Sequence, residues 1–396
     1  MPYTRAMHIL PALIATFCLL SPQDGKPAPP ATGTQPAKTV TQAPDARQSG
    51  SPVSASPAPI PSPWRKLDAE PFRGKQDDIF FVTSETGWYV NGGGNIYKTT
   101  DGGTTWKKQF AKPGTFFRCV GFIDEKHGFA GNIGTDYFPN VSDTTPLYET
   151  TDGGETWQPA ANVPAIKGLC AIHVEKTMFI NAGEPGYKTT IWVGGRVGGP
   201  ANLLRSDDES KTWETVTLPA NCAMILDVYF RDKNTGFVCA ATDADVAKSH
   251  ALILKTTDGG KTWKSVYESK RPYELTWKGA FPSEKIGYVT VQSYDPDPAN
   301  TKRYVAKTTD GGETWTEQLL TDDKTCREFG IGFASDTVGY VGGTTTGYQT
   351  LDGGAVWTKV VMGQAVNKIR FVKTPDGKTV GYAIGVQLHK LDALPQ

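Results

Sequence analysis

An eight-residue string, Thr-Thr-Asp-Gly-Gly-x-Thr-Trp, recurs along this chain and fixes its architecture before any local reading can. Clear copies end at Trp106, Trp157, Trp263 and Trp315. Two variants end at Trp213 and Trp357, and His389-Lys390-Leu391-Asp392 is a truncated seventh copy. The successive aspartates Asp101, Asp152, Asp208, Asp258, Asp310, Asp352 and Asp392 are 51, 56, 50, 52, 42 and 40 residues apart. Four-stranded propeller blades repeat at roughly 40–50 residues, whereas helical repeats are generally shorter and show a 3.6-residue apolar period.

A second pattern lies between the copies. Gly87-Trp88, Gly128-Phe129, Gly236-Phe237, Gly287-Tyr288, Gly339-Tyr340 and Gly381-Tyr382 mark one recurrent strand. Six residues before the first five of these glycines stands Phe81, Phe122, Phe230, Phe281 or Phe333, and Phe371 lies further ahead of Gly381. Each blade therefore reads as strand a ending near the Phe, a tight turn, strand b after the Gly, a variable loop, strand c, the Asp motif as a turn, and strand d after the Trp. The expected fold is all-β: a seven-bladed propeller of four-stranded antiparallel blades. Trp64-Arg65-Lys66-Leu67 has the form of a strand d with no motif before it, so the ring should close through this N-terminal strand in the last blade, against Ala383 to Leu388. Such closure leaves only short, protected edges.

The motif explains itself as a turn. An Asp at its start can accept backbone N–H bonds, and a Gly-Gly pair adopts positive φ at little steric cost. The Trp can bury a large face between blades while its indole N–H finds a carbonyl. Asp101, Trp106, Asp152, Trp157, Asp208, Trp213, Asp258, Trp263, Asp310, Trp315, Asp352 and Trp357 are accordingly assigned to structure.

Composition limits the function classes. The 396 residues carry 41 Lys+Arg and 41 Asp+Glu, so no global charge favours nucleic acid or an acidic membrane. Residues 1–21 have the form of an export signal, with Arg5 before the 12-residue apolar run Ile9 to Leu20, too short to span a bilayer. Lipid attachment at Cys18 would need a small residue where Phe17 stands. Residues 22–63, rich in Pro, Ala, Ser and Thr, read as a disordered linker, and 64–396 as the propeller. An exported protein is expected, periplasmic or extracellular, with a membrane tether as an open alternative. Cys119, Cys170, Cys222, Cys239 and Cys326 are either small buried side chains or include a disulfide, for which Cys170 and Cys222 are the best-placed pair.

Binding residues are sought on the face opposite the motif turns, where long b–c loops are expected at Gly131 to Pro146, Gly183 to Asn202, Thr242 to His250 and Gln292 to Arg303. They carry Tyr137, Tyr187, Trp192, Arg196 and Tyr294, of which Tyr137, Trp192 and Tyr294 could form a platform for a protein or a sugar. Arg118, Lys167, Lys278, Arg327 and Arg370 lie at or near the first strand of five blades. Turned inward they form a cationic patch for an acidic partner or free carboxylate; turned outward they are solvated surface. Glycoside hydrolysis would need two facing carboxylates, and Asp136, Asp243, Asp245, Asp295 and Asp297 offer candidates without singling out a pair. No phosphate loop, nucleotide fingerprint or nucleophile elbow occurs, and no Cys/His spacing points to a metal, so no cofactor or metal is expected.

The Thr-Thr-Asp-Gly-Gly-x-Thr-Trp copies resemble Asp-box, or BNR, repeats. Together with the Gly-aromatic strands, seven blades and an export signal, residues 64 to 392 resemble the photosystem II stability/assembly factor family. That resemblance implies a propeller that binds a precursor reaction-centre protein through an arginine-rich patch, for which Arg118, Arg327 and Arg370 are the candidates here. Two readings follow. One is an exported, non-enzymatic scaffold for another protein, such as a membrane-complex subunit. The other is a carbohydrate-binding protein or glycoside hydrolase using the long-loop face. A cationic patch without clustered carboxylates favours the first, and two facing carboxylates beside an aromatic platform favour the second.

Overall fold

A computed structural model describes residues 62–181 and 184–395. The export signal expected over 1–21, and all but the end of the 22–63 linker, lie outside the described residues. Within them, seven four-stranded antiparallel sheets follow one another around a ring. The first blade is Gln76–Phe81, Gly87–Asn91, Asn95–Thr99 and Lys107–Ala111. The inner strands of the other six are Phe117–Phe122, Ala171–Asn181, Met224–Phe230, Glu274–Ala280, Ile331–Phe333 and Lys368–Lys373. Each inner strand touches the next, and the last touches the first, so these strands wall an axial bore.

The ring closes through the N-terminal strand Trp64–Lys66, which pairs antiparallel with Leu388–Leu391 (Trp64 opposite Leu391, Lys66 opposite His389). Arg65 Nε and Asp392 Oδ2, 2.5 Å apart, hold the seam at the surface. The partner strand differs from the expectation. Ala383 belongs to strand b, Thr379–Ile384, and a tight connection brings strand c to Leu388–Leu391.

The six-residue Phe-to-Gly spacing has a direct cause. Phe81 pairs across the hairpin with Gly87, Phe122 with Gly128, Phe230 with Gly236 and Phe333 with Gly339. The Phe ring lies over its glycine so closely that a Cβ at Gly87, Gly128, Gly236 or Gly339 would come within 2.2–2.5 Å of ring carbons. The ring's other face stacks on the strand-b aromatic of the preceding blade. Trp88 meets Phe122 at 3.6 Å between centroids, Trp192 meets Phe230 at 4.1 Å, and Tyr288 meets Phe333 at 3.6 Å. Tyr382 and Phe81, at 3.9 Å, make the same contact across the closure. The motif Trp then stands edge-on to the Phe, at 89° for Trp157 on Phe122 and 90° for Trp263 on Phe230. Edge-to-face aromatic pairs add about 0.5–1.5 kcal/mol each beyond the area they bury.

The motif turn is hydrogen-bonded as its residues suggest. In the second blade Asp152 Oδ1 accepts from Thr150 Oγ1 (2.8 Å) and the Thr156 amide (2.9 Å), and Oδ2 accepts from Thr156 Oγ1 (2.6 Å). The hydroxyl and amide of Thr156 hold this carboxyl at about 2, well below the usual range. Gly153 and Gly154 occupy φ of 75° and 92°. The indole N–H groups depart from expectation. Only Trp263 reaches a carbonyl, that of Gly260 at 3.1 Å, whereas the buried Nε1 atoms of Trp106, Trp157, Trp213, Trp315 and Trp357 meet no acceptor among the described residues. Their geometry is set by the edge-on ring contact.

One contact was not anticipated. The residue before the motif's first Thr or Ser, or before Leu391 in the truncated copy, reaches into the next blade's turn. Lys98 donates to Gly153 O (2.9 Å), Lys255 to Gly311 O (2.8 Å), Lys307 to Gly353 O (2.7 Å) and Lys390 to Gly102 O (2.9 Å), and Arg205 does the same at Gly259. Where the third blade replaces Gly-Gly by Glu209-Ser210, the preceding blade carries Glu149 instead, and Ser210 donates its hydroxyl to it.

Blade 3 also departs from the expected loop pattern. Glu184–Gly195 is strand b, not part of a b–c loop, and with Ala171–Asn181 it forms a long a–b arm on the Asp-motif face. Tyr187, Met178 and Ile180 on that arm are exposed. Cys170 and Cys222 form no disulfide; the five cysteines in the described residues are free, and all but Cys222 are buried.

Gly236→Ala is expected to cost about 1–3 kcal/mol, because the new methyl group overlaps the Phe230 ring. Urea unfolding measures it, and the Phe230→Leu background should recover part of the loss. An unchanged midpoint would contradict the close approach.

Candidate functional site

The bore opens on the b–c loop face through a funnel of about 240 Å3. Its walls are Trp277, Phe329, Tyr294, Tyr137 and Phe138, and its cations are Arg73, Lys75, Arg118 and Arg327. Among the described lining residues there is no carboxylate. Each part is positioned by the ring. Arg118 is the second residue of strand a of blade 2, Trp277 lies on strand a of blade 5, and Tyr137 and Tyr294 follow strands b. Arg73 and Lys75 belong to the segment leading from the closing strand into the first blade.

Cations and rings are layered against each other. The Arg327 guanidinium carbon lies 4.5 Å from the Tyr294 ring centroid, and that of Arg118 5.3 Å from the Trp277 ring. Lys75 Nζ sits 5.1 Å from Trp277 and 4.9 Å from Phe329. Such cation–π contacts strengthen as water is removed. Phe116 stacks on Phe138 at 4.5 Å, which steadies the loop that carries Tyr137.

Beneath the funnel, Asp77 is fully buried 2.6 Å from Arg118 Nη1 and 3.8 Å from Lys75 Nζ. Burial raises its pKa, and the charges of Arg118 and Lys75 oppose that shift; at 2.6 Å we take the pair as ionised. Asn367 ties this layer together: its Oδ1 accepts from Lys75 (3.1 Å) and from the Trp277 indole (2.8 Å), and its Nδ2 donates to Asp77 O (2.7 Å).

The residues singled out from sequence divide clearly. Arg118, Arg327, Tyr137 and Tyr294 come together in the funnel. Lys278 and Arg370 also turn inward, but deeper in the bore, where they lie beside Asp227 (3.6 Å) and Asp78 (3.2 Å). Lys167 stays on the exposed rim, 3.4 Å from Asp136. Trp192 does not belong to a recognition surface: it is 2% exposed and wedged between blades 3 and 4, because its strand supplies the aromatic of the inter-blade stack. Arg196 is likewise buried and donates to the carbonyls of Ile133 (3.0 Å), Thr135 (2.6 Å) and Gly199 (3.0 Å). Asp243, Asp245, Asp295 and Asp297 each accept an amide N–H two residues ahead, which shapes their own loops. Among the described residues no group of three or more His, Cys, Asp or Glu side chains could hold a metal ion. Lys75, Trp277 and Phe329 were not legible as site residues, because no sequence spacing relates them.

A wider cleft of about 950 Å3 lies on the Asp-motif face beside the blade 3 arm. Three of its four carboxylates are already engaged, Asp208 and Asp258 in their turns and Asp207 by Thr190 (2.7 Å) and Arg205 (2.6 Å); Glu209 is the fourth. The funnel is the better candidate, since unlike polar and aromatic groups converge there.

Comparison with known proteins agrees with this architecture. A family model described as BNR/Asp-box repeat matches residues 148–159. The chain is a seven-bladed propeller that carries an Asp-box match in its second blade. It is similar in fold to a solved structure titled "YCF48 bound to D1 peptide", at 18% identity and a TM-score of 0.59, covering 86% of this chain and 98% of that one. YCF48 from Cyanidioschyzon merolae gives 16% identity and 0.56, over 83% and 98%. These matches show the propeller fold. An ancestral GH74 enzyme gives 14% and 0.58, over 82% of this chain and 45% of that one. Among curated proteins, xyloglucanase Xgh74A of Acetivibrio thermocellus is 24% identical over 209 residues, which is 44% of this chain but 23% of the enzyme. A Paenibacillus xyloglucanase is 25% identical over 205 residues, with 19% of its length covered. The chain thus spans about a quarter or less of the curated relatives it matches, and likeness at these identities speaks for the fold.

Glu328, the neighbour of Phe329, is wholly buried, and neither carboxyl oxygen receives a well-formed hydrogen bond among the described residues. Burial pushes its pKa up to about 8; the nearby Glu328 and Tyr304 amides and the Arg303 charge oppose that without cancelling it. The folded chain therefore holds a proton that the unfolded chain releases above roughly pH 4. Stability should fall as pH rises from about 4.5 to 8, and Glu328→Gln should remove that slope. Urea unfolding at both ends of the window tests this; a slope that survives in Glu328→Gln would assign it to other groups.

Proposed function

We propose that this protein is an exported, non-enzymatic propeller that binds a segment of another protein in the funnel, in a stabilising or assembly role. The observation that carries the reading is the convergence of Arg73, Lys75, Arg118 and Arg327 with Trp277, Phe329, Tyr294 and Tyr137 at one axial mouth, with no carboxylate among the described lining residues. Such a mouth favours an acidic, extended peptide whose apolar or aromatic side chains lie on the rings and whose carboxylates meet the guanidinium groups. The YCF48 structure titled as bound to a D1 peptide supports peptide binding as a use of this fold. A role with a membrane complex rests on that likeness and on the expected export signal.

The likeness to xyloglucanases favours a second reading, in which the loop face binds or cleaves a glycan. It has less support, since Asp243, Asp245, Asp295 and Asp297 serve their own loops and none lines the funnel.

The test is fluorescence anisotropy with labelled peptides of graded acidity and aromatic content, alongside turnover assays on xyloglucan. Acidic aromatic peptides should bind best and weaken with salt. Arg327→Gln should weaken them about tenfold, a loss of about 1.4 kcal/mol. Xyloglucan cleavage abolished by Asp295→Asn, with no peptide preference, would establish the second reading instead.

A further inference from the structure

The far end of the bore is also built as a site. Where the inner strands reach the Asp-box face they surround a vestibule of about 270 Å3. Phe80, Tyr229, Phe281 and Phe371 form its walls, and Lys368 and Arg370 reach it from blade 7. Tyr229 and Phe281 are stacked at 4.7 Å and 11°, which gives the wall a flat, rigid panel. The Arg370 guanidinium lies 5.2 Å from the centroid of Phe80.

Charge in this lower bore does not balance. Lys278, Lys368 and Arg370 are set against two carboxylates, Asp227 and Asp78. Lys368 Nζ lies 3.2 and 3.1 Å from the two oxygens of Asp227, which occupies at most two of its three N–H groups. Lys278 Nζ donates to Leu226 O at 2.7 Å and sits 3.6 Å from the same aspartate. Arg370 uses Nε on Ile79 O and Nη2 on Asp78, and its Nη1 has no acceptor among the described residues. The Gly279 amide at 3.3 Å, and those of Ile79 at 2.9 Å and Val120 at 3.1 Å, occupy Asp227 and Asp78 further. Two further titratable groups line the vestibule: His173 is pushed down to about 3, by burial first and then by the Arg370 charge, and burial raises the Tyr229 phenol, so they add no compensating anion and no further cation. One positive charge is left over, and the free donor belongs to Arg370, whose side chain is 26% exposed and faces the open vestibule, where an anion can complete the site.

We propose that this vestibule binds a small aromatic carboxylate, its carboxylate received by Arg370 and Lys368 and its ring held between the Phe80–Phe371 and Tyr229–Phe281 walls. A monoanion matches the single excess charge, and a planar acid matches the guanidinium donors. A tetrahedral dianion would overcompensate that charge and press polar oxygens against phenyl rings. The site lies at the opposite mouth from the funnel and stands independently of peptide binding there.

The test uses the full chain with benzoate as probe and sulfate as comparison, by calorimetry, together with the iodine position in crystals soaked with 4-iodobenzoate. Benzoate should bind, sulfate should not displace it, and the iodine should lie between Phe80 and Tyr229. Arg370→Gln should weaken benzoate at least about tenfold, while Arg327→Gln at the funnel leaves it unchanged. Iodine in the funnel, full competition by sulfate, absence of benzoate binding, or equal binding by Arg370→Gln would each overturn the proposal. The iodine position is read on the unaltered chain, so a variant that fails to fold leaves that reading intact.

Discussion

A phenyl ring laid across a glycine is the contact on which this ring of blades depends. The glycine lets the Phe ring drop onto the hairpin backbone, which exposes the ring's other face to the preceding blade. The strand-b aromatic of that blade stacks there, and the motif Trp closes the pocket edge-on. The motif turn is then pinned from the neighbouring blade by a Lys or Arg on its first glycine carbonyl. Four sequence signals that look separate, the Phe, the Gly-aromatic pair, the basic residue before the motif and the motif itself, are parts of one inter-blade clasp. Its conspicuous carboxylates are consumed in holding turns.

This division of labour decides where chemistry can happen. Hydrophobic burial and aromatic stacking stabilise the wheel between blades, so the inner strands need not pack an apolar axis. They carry a column of buried ions instead: Asp77 with Arg118 and Lys75 near one mouth, and Asp227 and Asp78 with Lys278, Lys368 and Arg370 near the other. Buried ion pairs are weak contributors to stability after desolvation. Their presence along an axis with aromatic walls at both ends is what the proposed recognition in the bore calls for.

The repeat made much of the fold legible. Seven blades, the strand order within them and closure by Trp64–Lys66 all follow from regular recurrence, because the Phe–Gly clasp returns in every blade but the third. What failed to be legible lies where the recurrence breaks. Blade 3 has Ile191 where other blades have the glycine and Val174 where they have the Phe, so its strands were hidden, and Trp192 was mistaken for a loop residue. The last blade has no motif turn, which blurred strands b and c there. At the candidate site, the inward turn of Arg118 and Arg327 could be posed from sequence but not decided, since alternation along an inner strand sets it. Trp277, Phe329 and Lys75 come from strands far apart in the chain, and only the closed ring brings them together.

The central claim is that the Asp-box carboxylates hold blades together while recognition belongs to the bore. It is tested most directly by measuring the affinity of Asp310→Ala for an acidic aromatic peptide, below its own melting temperature and beside its unfolding midpoint. Asp310 binds the hydroxyls of Thr308 and Thr314 and the Thr314 amide. The account predicts a lowered midpoint with unchanged peptide affinity. Lost affinity with an unchanged midpoint would contradict it.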